Sequence, residues 1–116
     1  MSNEVLRAVT PITLPASIRR VVEFAVRAVD PTRIILYGSR ARGDARRNSD
    51  YDLAFVFPKD RHGPWVRFLA DLDDAPVTLL PVDLLDWNEA SESLREKIAK
   101  EGITLYERSP GSWKFC

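Results

Sequence analysis

The chain has 116 residues, with 17 Lys plus Arg against 17 Asp plus Glu, so it suits one packed domain and carries no net charge. Zero charge removes the basic field by which polynucleotide-binding domains gather phosphate backbones, and 45% hydrophobic with 29% charged residues is the balance of a globular protein. One cysteine, Cys116, excludes an intrachain disulfide and a cysteine-rich zinc site, and one histidine, His62, makes a His-based metal cluster or a Ser-His-Asp triad hard to assemble without a partner.

Residues 1–15, MSNEVLRAVTPITLP, have neither the basic nor the apolar region of a secretory signal. No apolar run approaches the roughly 20 residues of a membrane span, so a cytoplasmic protein without membrane contact is expected. With Pro11 and Pro15 and little periodicity, this stretch reads as a lead-in segment.

A helix is expected from Ser17, because Ile18, Val21, Val22, Ala25, Val26 and Val29 recur at helical spacing while Arg19, Arg20, Glu23 and Arg27 fill the other face. Pro31 ends it by pushing Asp30 out of the helical region. The short β-branched run Arg33–Tyr37 reads as a buried strand that stops at Gly38. Residues 39–49, SRARGDARRNS, hold four arginines and no apolar run, which predicts a turn or a very short helix.

Tyr51–Phe57 reads as a second strand closed by Pro58. Gly63-Pro64 opens a helical pattern with Trp65, Phe68, Leu69 and Leu72 on its apolar side. A third strand is expected over Val77–Leu85, with Pro81 marking an edge or a bulge. Asn88 is the expected cap of a last helix that turns Leu94 and Ile98 inward and ends at Gly102. Ile103–Tyr106 could add a fourth strand. Together these predict an α/β fold: a small mixed sheet, its first two strands antiparallel, with helices packed mainly on one face. The expected organisation is a lead-in at 1–15, one domain at 16–108 and a tail at 109–116.

The chemistry gathers between the first two strands. Asp50 and Asp52 are two apart where the second strand begins, and alternation turns both to one face about 7 Å apart. Such a pair repels unless a cation sits between, and hard oxygen donors favour Mg²⁺ or Mn²⁺ over zinc. A bare Asp-x-Asp is more often a turn residue followed by a solvated strand residue. Its context changes that balance. Gly38-Ser39 lies where a buried strand ends, so glycine lets a phosphate approach the backbone and Ser39 with the following amides can donate to its oxygens. Arg40, Arg42, Arg46 and Arg47 follow, of which Arg40 and Arg42 are the candidates for phosphate contact and the others solvated turn residues.

Gly38-Ser39, ten residues, Asp50, one residue, Asp52 resembles the signature of the polymerase β superfamily of nucleotidyltransferases. The stretch GSRARGDARRNSDYDLAF is similar to its minimal nucleotidyltransferase branch, whose members are often encoded beside a HEPN-domain toxin. The likeness runs from about Arg33 to Tyr106 and includes Leu94-Arg95-x-x-Ile98 and Glu101-Gly102-Ile103-x-Leu105-Tyr106-Glu107. The resemblance implies a third acidic residue on the neighbouring strand. Asp83 matches it best, and Asp86, placed past the strand, is the fallback; the plain alternative for Asp83 is a turn-capping aspartate.

The resemblance further implies an enzyme that transfers a nucleoside monophosphate, AMP from ATP, to an acceptor hydroxyl. Asp50, Asp52 and Asp83 would be its metal-holding and catalytic carboxylates, and Gly38, Ser39, Arg40 and Arg42 would hold the nucleotide. Little chain remains beyond this core, so the acceptor site is expected to be small, shared across a dimer or supplied by another protein. The expected acceptor is a tyrosine of a HEPN toxin, with nucleic acid disfavoured as substrate. The rival expectations are an antitoxin that masks its partner without catalysis and a small-molecule (antibiotic) transferase. His62 is expected to be solvated and Trp65 and Phe68 to be core; Trp87, Trp113 and Phe115 are candidates for a partner surface.

Overall fold

A computed structural model of the protein describes residues 14–108. The proposed tail at 109–116, with Trp113, Phe115 and Cys116, and most of the lead-in lie outside the described residues. The first helix, α1, runs Ala16–Val29, and Ile18, Val21, Val22, Ala25 and Val29 on its apolar stripe are wholly buried. Each of the isoleucine and valine side chains contributes about 1.5–3 kcal/mol on burial. Asp30 ends the helix in the left-handed region, at φ 57° and ψ 56°, and its N–H still donates to the Val26 carbonyl. Pro31 makes continuation impossible.

Four strands follow in one sheet: β1 (Arg33–Tyr37), β2 (Tyr51–Val56), β3 (Val82–Asp86) and β4 (Ile103–Glu107), in the spatial order β3-β2-β1-β4. β1 is antiparallel to β2 and β4, while β2 and β3 run parallel, so the sheet is mixed. Between β1 and β2 lies a single helical turn, α2 (Ser39–Arg42). α3 spans His62–Asp74 and α4 spans Glu92–Glu101.

Strand alternation divides the core in two. Ile34, Leu36, Leu53, Phe55 and Leu105 face α1 and α3. Ile35, Tyr37 and Ala54 face Ile98 and Leu94 of α4. The larger helical layer therefore lies on one face and α4 covers the other. Trp65 and Phe68 are buried as expected, in an aromatic group where Phe55 lies 5.1 Å from Trp65 and Phe24 meets Phe68 edge-on at 5.2 Å. His62 is exposed and Trp87 packs partly against the α4 side of the core. Among the described residues no helix is long and apolar enough to cross a membrane.

Two expectations change. The third strand occupies Val82–Asp86, not Val77–Leu85. Pro76 and Pro81 lack the N–H that a ladder needs, and Val77–Leu80 are held by hydroxyl contacts instead: Ser17 and Thr78 share a hydrogen bond at 2.7 Å across 61 residues, and the Leu80 N–H donates locally to Thr78 Oγ1. β3 is an edge strand, as Pro81 suggested. The cap of α4 is Ser91, whose hydroxyl accepts the Leu94 N–H at 3.1 Å, not Asn88. Asn88 sits in a 3-10 turn (Trp87–Glu89) and donates its side-chain amide to the Phe57 carbonyl.

Candidate active site

The candidate residues meet at one end of the sheet, where β1 stops and β2 and β3 begin. Antiparallel register sets Tyr37 opposite Asp52, and parallel register sets Asp52 abreast of Asp83. Register partners on adjacent strands, about 4.8 Å apart, share a face. Tyr37, Asp52 and Asp83 therefore lie together on the α4 side. Asp86 pairs with Phe55 and so belongs to the opposite face, where its buried carboxylate accepts the Asn88 N–H at 2.8 Å. It ends β3 rather than lying past it, and it is spent on capping. Asp50 precedes the first residue of β2 and is exposed, so the ladder holds Asp52 while the connection holds Asp50. Its charge still reaches Asp52.

Gly38 brings the turn and the carboxylates together. At φ 76° and ψ −157° its backbone occupies a region that essentially only glycine adopts. A Cβ there would lie 2.3 Å from Asp52 Oδ2, so the carboxylate packs directly on the glycine Cα. Ser39 then opens α2, which closes when the Arg42 N–H donates to the Gly38 carbonyl at 3.0 Å. Gly43, at φ 87°, reverses the chain.

The arginines differ in their occupation. Arg40 donates to the carbonyls of Arg47 and Ser49 at 3.1 Å each and lies over the Tyr51 ring at 4.4 Å. It straps the connection onto the start of β2, beside Asp50. Arg42 pairs with Asp44 at 3.1 Å and with Glu101 at 3.2 Å. Glu101 also accepts the Gly38 N–H at 2.9 Å.

Burial, then the charges of Asp83 and Asp50, hold the Asp52 carboxyl above the ordinary carboxylate range, with Arg42 acting the other way. The Tyr37 hydroxyl is pushed up to about 12 by burial first and then by Asp52 and Asp83. Among the described residues no three His, Cys, Asp or Glu side chains are gathered as a closed metal cage. The donor set nonetheless fits a hard divalent cation of the magnesium type, which commonly binds through one or two carboxylates with phosphate oxygens and waters as its remaining ligands.

Sequence reasoning missed Tyr37 and Glu101 as members of this site. Tyr37 was readable as the last strand residue before Gly38, with the same alternation as Ile35. Glu101 was visible only as part of the Glu-Gly stretch of the resemblance, and its contact with Gly38 spans 63 residues.

The family model described as polymerase beta, nucleotidyltransferase matches residues 19–111. The protein adenylyltransferase MntA of Aphanizomenon flos-aquae is 25% identical over 89 residues, covering 67% of this chain and 57% of that protein. The Haemophilus influenzae protein named Probable protein adenylyltransferase MntA is 39% identical over 77 residues, covering 62% of this chain and 63% of its own. The chain thus spans about three fifths of the length of the curated relatives it matches. A solved structure assigned as a minimal nucleotidyltransferase superposes with TM-score 0.59 at 29% identity, over 76% of this chain and 88% of that one. A toxin-antitoxin structure with AMP-PNP superposes with TM-score 0.51 at 25% identity, over 86% of this chain and 78% of that one. With the family model matched over most of its length, on a sheet that sets Gly38 against Asp52 and Asp83, this chain belongs to the polymerase β nucleotidyltransferase family.

Proposed function

We propose that the chain is an adenylyltransferase that moves the AMP of ATP onto a hydroxyl of a protein partner, releasing pyrophosphate. The observation that carries this is the packing of Asp52 against Gly38, with Asp83 abreast, which puts a turn able to take phosphate beside acidic groups able to take a cation. The names of the MntA relatives and the AMP-PNP in the toxin-antitoxin structure support AMP transfer over other nucleotidyl transfers. The toxin-antitoxin structure favours a toxin as the partner, and the family resemblance favours a HEPN toxin with a tyrosine hydroxyl as acceptor.

Asp52 and Asp83, with Asp50 at the rim, would hold Mg²⁺ or Mn²⁺. When bound, such an ion neutralises charge on the transferring phosphoryl group and on the attacking and leaving oxygens. The Ser39 hydroxyl and the amides after Gly38 donate to phosphate oxygens, and Arg42 stands beside them. Arg40 acts by keeping the 43–49 connection, and with it Asp50, against the start of β2. Asp83 lies farther toward the sheet edge than Asp52 and is exposed, which suits it to the acceptor side, where it orients the hydroxyl or takes its proton. Catalysis in this scheme is in-line positioning with charge compensation, so no covalent nucleophile is needed.

The test is co-expression with the cognate HEPN protein followed by intact-mass spectrometry of that partner. A gain of one AMP that disappears with Asp50→Asn is expected. A stable complex whose partner stays unmodified would replace this reading by a masking antitoxin. Efficient transfer to an aminoglycoside by the isolated chain would replace it by a small-molecule transferase.

A further inference from the structure

Glu101 is the last residue of α4, yet its side chain is only 17% exposed. One oxygen, Oε2, accepts the Gly38 N–H at 2.9 Å and an Arg42 Nη1 hydrogen bond at 3.2 Å; Oε1 accepts from the same Nη1 at 3.3 Å. Gly38 is therefore held between two carboxylates, its amide on Glu101 and its Cα against Asp52. We propose that Glu101 is a positioning residue of the nucleotide site: it sets the Gly38 turn and keeps Arg42 beside it. This rests on the nucleotide-binding reading above.

The fold delivers Glu101 to this place by a specific route. A Cβ on Gly102 would lie 2.5 Å from Ile35 Cγ2 and 2.5 Å from the Ile98 carbonyl oxygen. Only glycine lets the end of α4 press this closely onto β1 before the chain enters β4. Because β4 pairs with β1, the last turn of α4 is pinned at the sheet end where Gly38 begins. Arg42 has one other carboxylate partner, Asp44, and both of those side chains are largely in water. An exposed pair of that kind holds a long side chain weakly. Glu101 is the partly buried anchor, and its two contacts join the turn to the arginine through a single group. Charge-assisted hydrogen bonds to a carboxylate are about twice as strong as neutral ones, which suits a residue that must hold the Gly38 amide and the Arg42 guanidinium together.

A merely structural Glu101 would lower the melting temperature in proportion to any loss of binding. A positioning Glu101 moves affinity with little change in melting. Calorimetry with ATP and Mg²⁺, paired with thermal melts, separates the two for the wild type, Glu101→Ala, Glu101→Gln, Arg42→Ala and the double variant Arg42→Ala/Glu101→Ala. Glu101→Ala should weaken ATP binding about tenfold, the size of one lost charged hydrogen-bond set, while melting within a few degrees of the wild type. Glu101→Gln should recover part of the affinity, because its amide oxygen still accepts the Gly38 N–H. Glu101→Ala should cost less in the Arg42→Ala background than in the wild type, because the two groups act as one unit.

ATP binding by Glu101→Ala as tight as, or tighter than, the wild type would overturn the proposal and make the carboxylate a spectator or a competitor for the amide. Affinity that falls only in step with melting, with Glu101→Gln no better than Glu101→Ala, would overturn it too. A wild type that binds no ATP with Mg²⁺ removes the nucleotide reading and this inference together. Wild-type binding with unaffected variants removes only this inference.

Discussion

Asp52→Asn should stabilise the protein at neutral pH while removing its ability to bind ATP with Mg²⁺. Asn has the shape of Asp, so the contact with Gly38 is kept and only the charge is lost. The carboxyl of Asp52 sits above the ordinary carboxylate range through burial and the nearby charges of Asp83 and Asp50. A carboxyl raised in the fold contributes most to stability below its unfolded pKa, and that contribution is lost as pH rises through the raised value. At pH 7 the ionised group is therefore a net cost. Asp83 lies one strand spacing away, about 4.8 Å, where like charges repel by about 1 kcal/mol in a water-like dielectric. Measured pairs of this exposed kind give roughly 0.5–1 kcal/mol. For a domain of this size that is a rise in Tm of about 2–6 °C. Thermal melts at low ionic strength would compare the variant with the wild type at pH 7 and near pH 3. The gap should be present at pH 7, shrink with added salt and close at acid pH, where the Asp52 carboxyl is neutral. Mg²⁺ should raise the Tm of the wild type and leave the variant unmoved. A variant that melts several degrees lower at pH 7 would make Asp52 a structural residue. Retained ATP binding or AMP transfer would remove it from the site.

Gly38→Ala should cost about 1–3 kcal/mol of stability and abolish ATP binding, since a Cβ there meets Asp52 Oδ2 at 2.3 Å in a backbone region that alanine avoids; denaturant melts and calorimetry measure both. Ser39→Ala should weaken ATP binding while changing Tm by no more than a few degrees, and a large stability loss at unchanged affinity would make the hydroxyl a turn cap. Ser91→Ala should lower stability by about 1 kcal/mol by freeing the Leu94 N–H, as read by urea unfolding. Phe68→Ala, which empties the centre of the aromatic group between α1, α3 and β2, should cost about 3–5 kcal/mol in the same measurement.

The residues of α1, β1 and the opening of α3 were legible because their signals are local. Five buried aliphatics at helical spacing, a β-branched pentapeptide that stops at glycine, and a proline in the first helical turn each act within a few residues. The direction of Asp52 and the Gly-Ser turn were legible for a related reason, since both sit at strand ends, whereas Asp50 lies before β2, where alternation does not reach. Where local signals compete, the reading slipped. Val77–Leu80 has strand-like composition between two prolines, and the missing amides outweighed it. Asn88 and Ser91 are both good caps, and the choice fell to packing, because the Asn88 amide is taken by the Phe57 carbonyl across 31 residues.

The sequence by itself therefore determined the kinds of element, the bend at Gly38 and which residue types could meet a phosphate or a cation. Tertiary structure alone decided which of Asp83 and Asp86 lies abreast of Asp52. Parallel register with β2 pairs Asp83 with Asp52 and Asp86 with Phe55, and adjacent register steps point to opposite faces. It also turned Arg40 into a strap for the connection and brought Glu101 onto Gly38. Register and long-range contact depend on how α4 and β4 close against β1, and the spacing of residues along a chain carries no record of that closure.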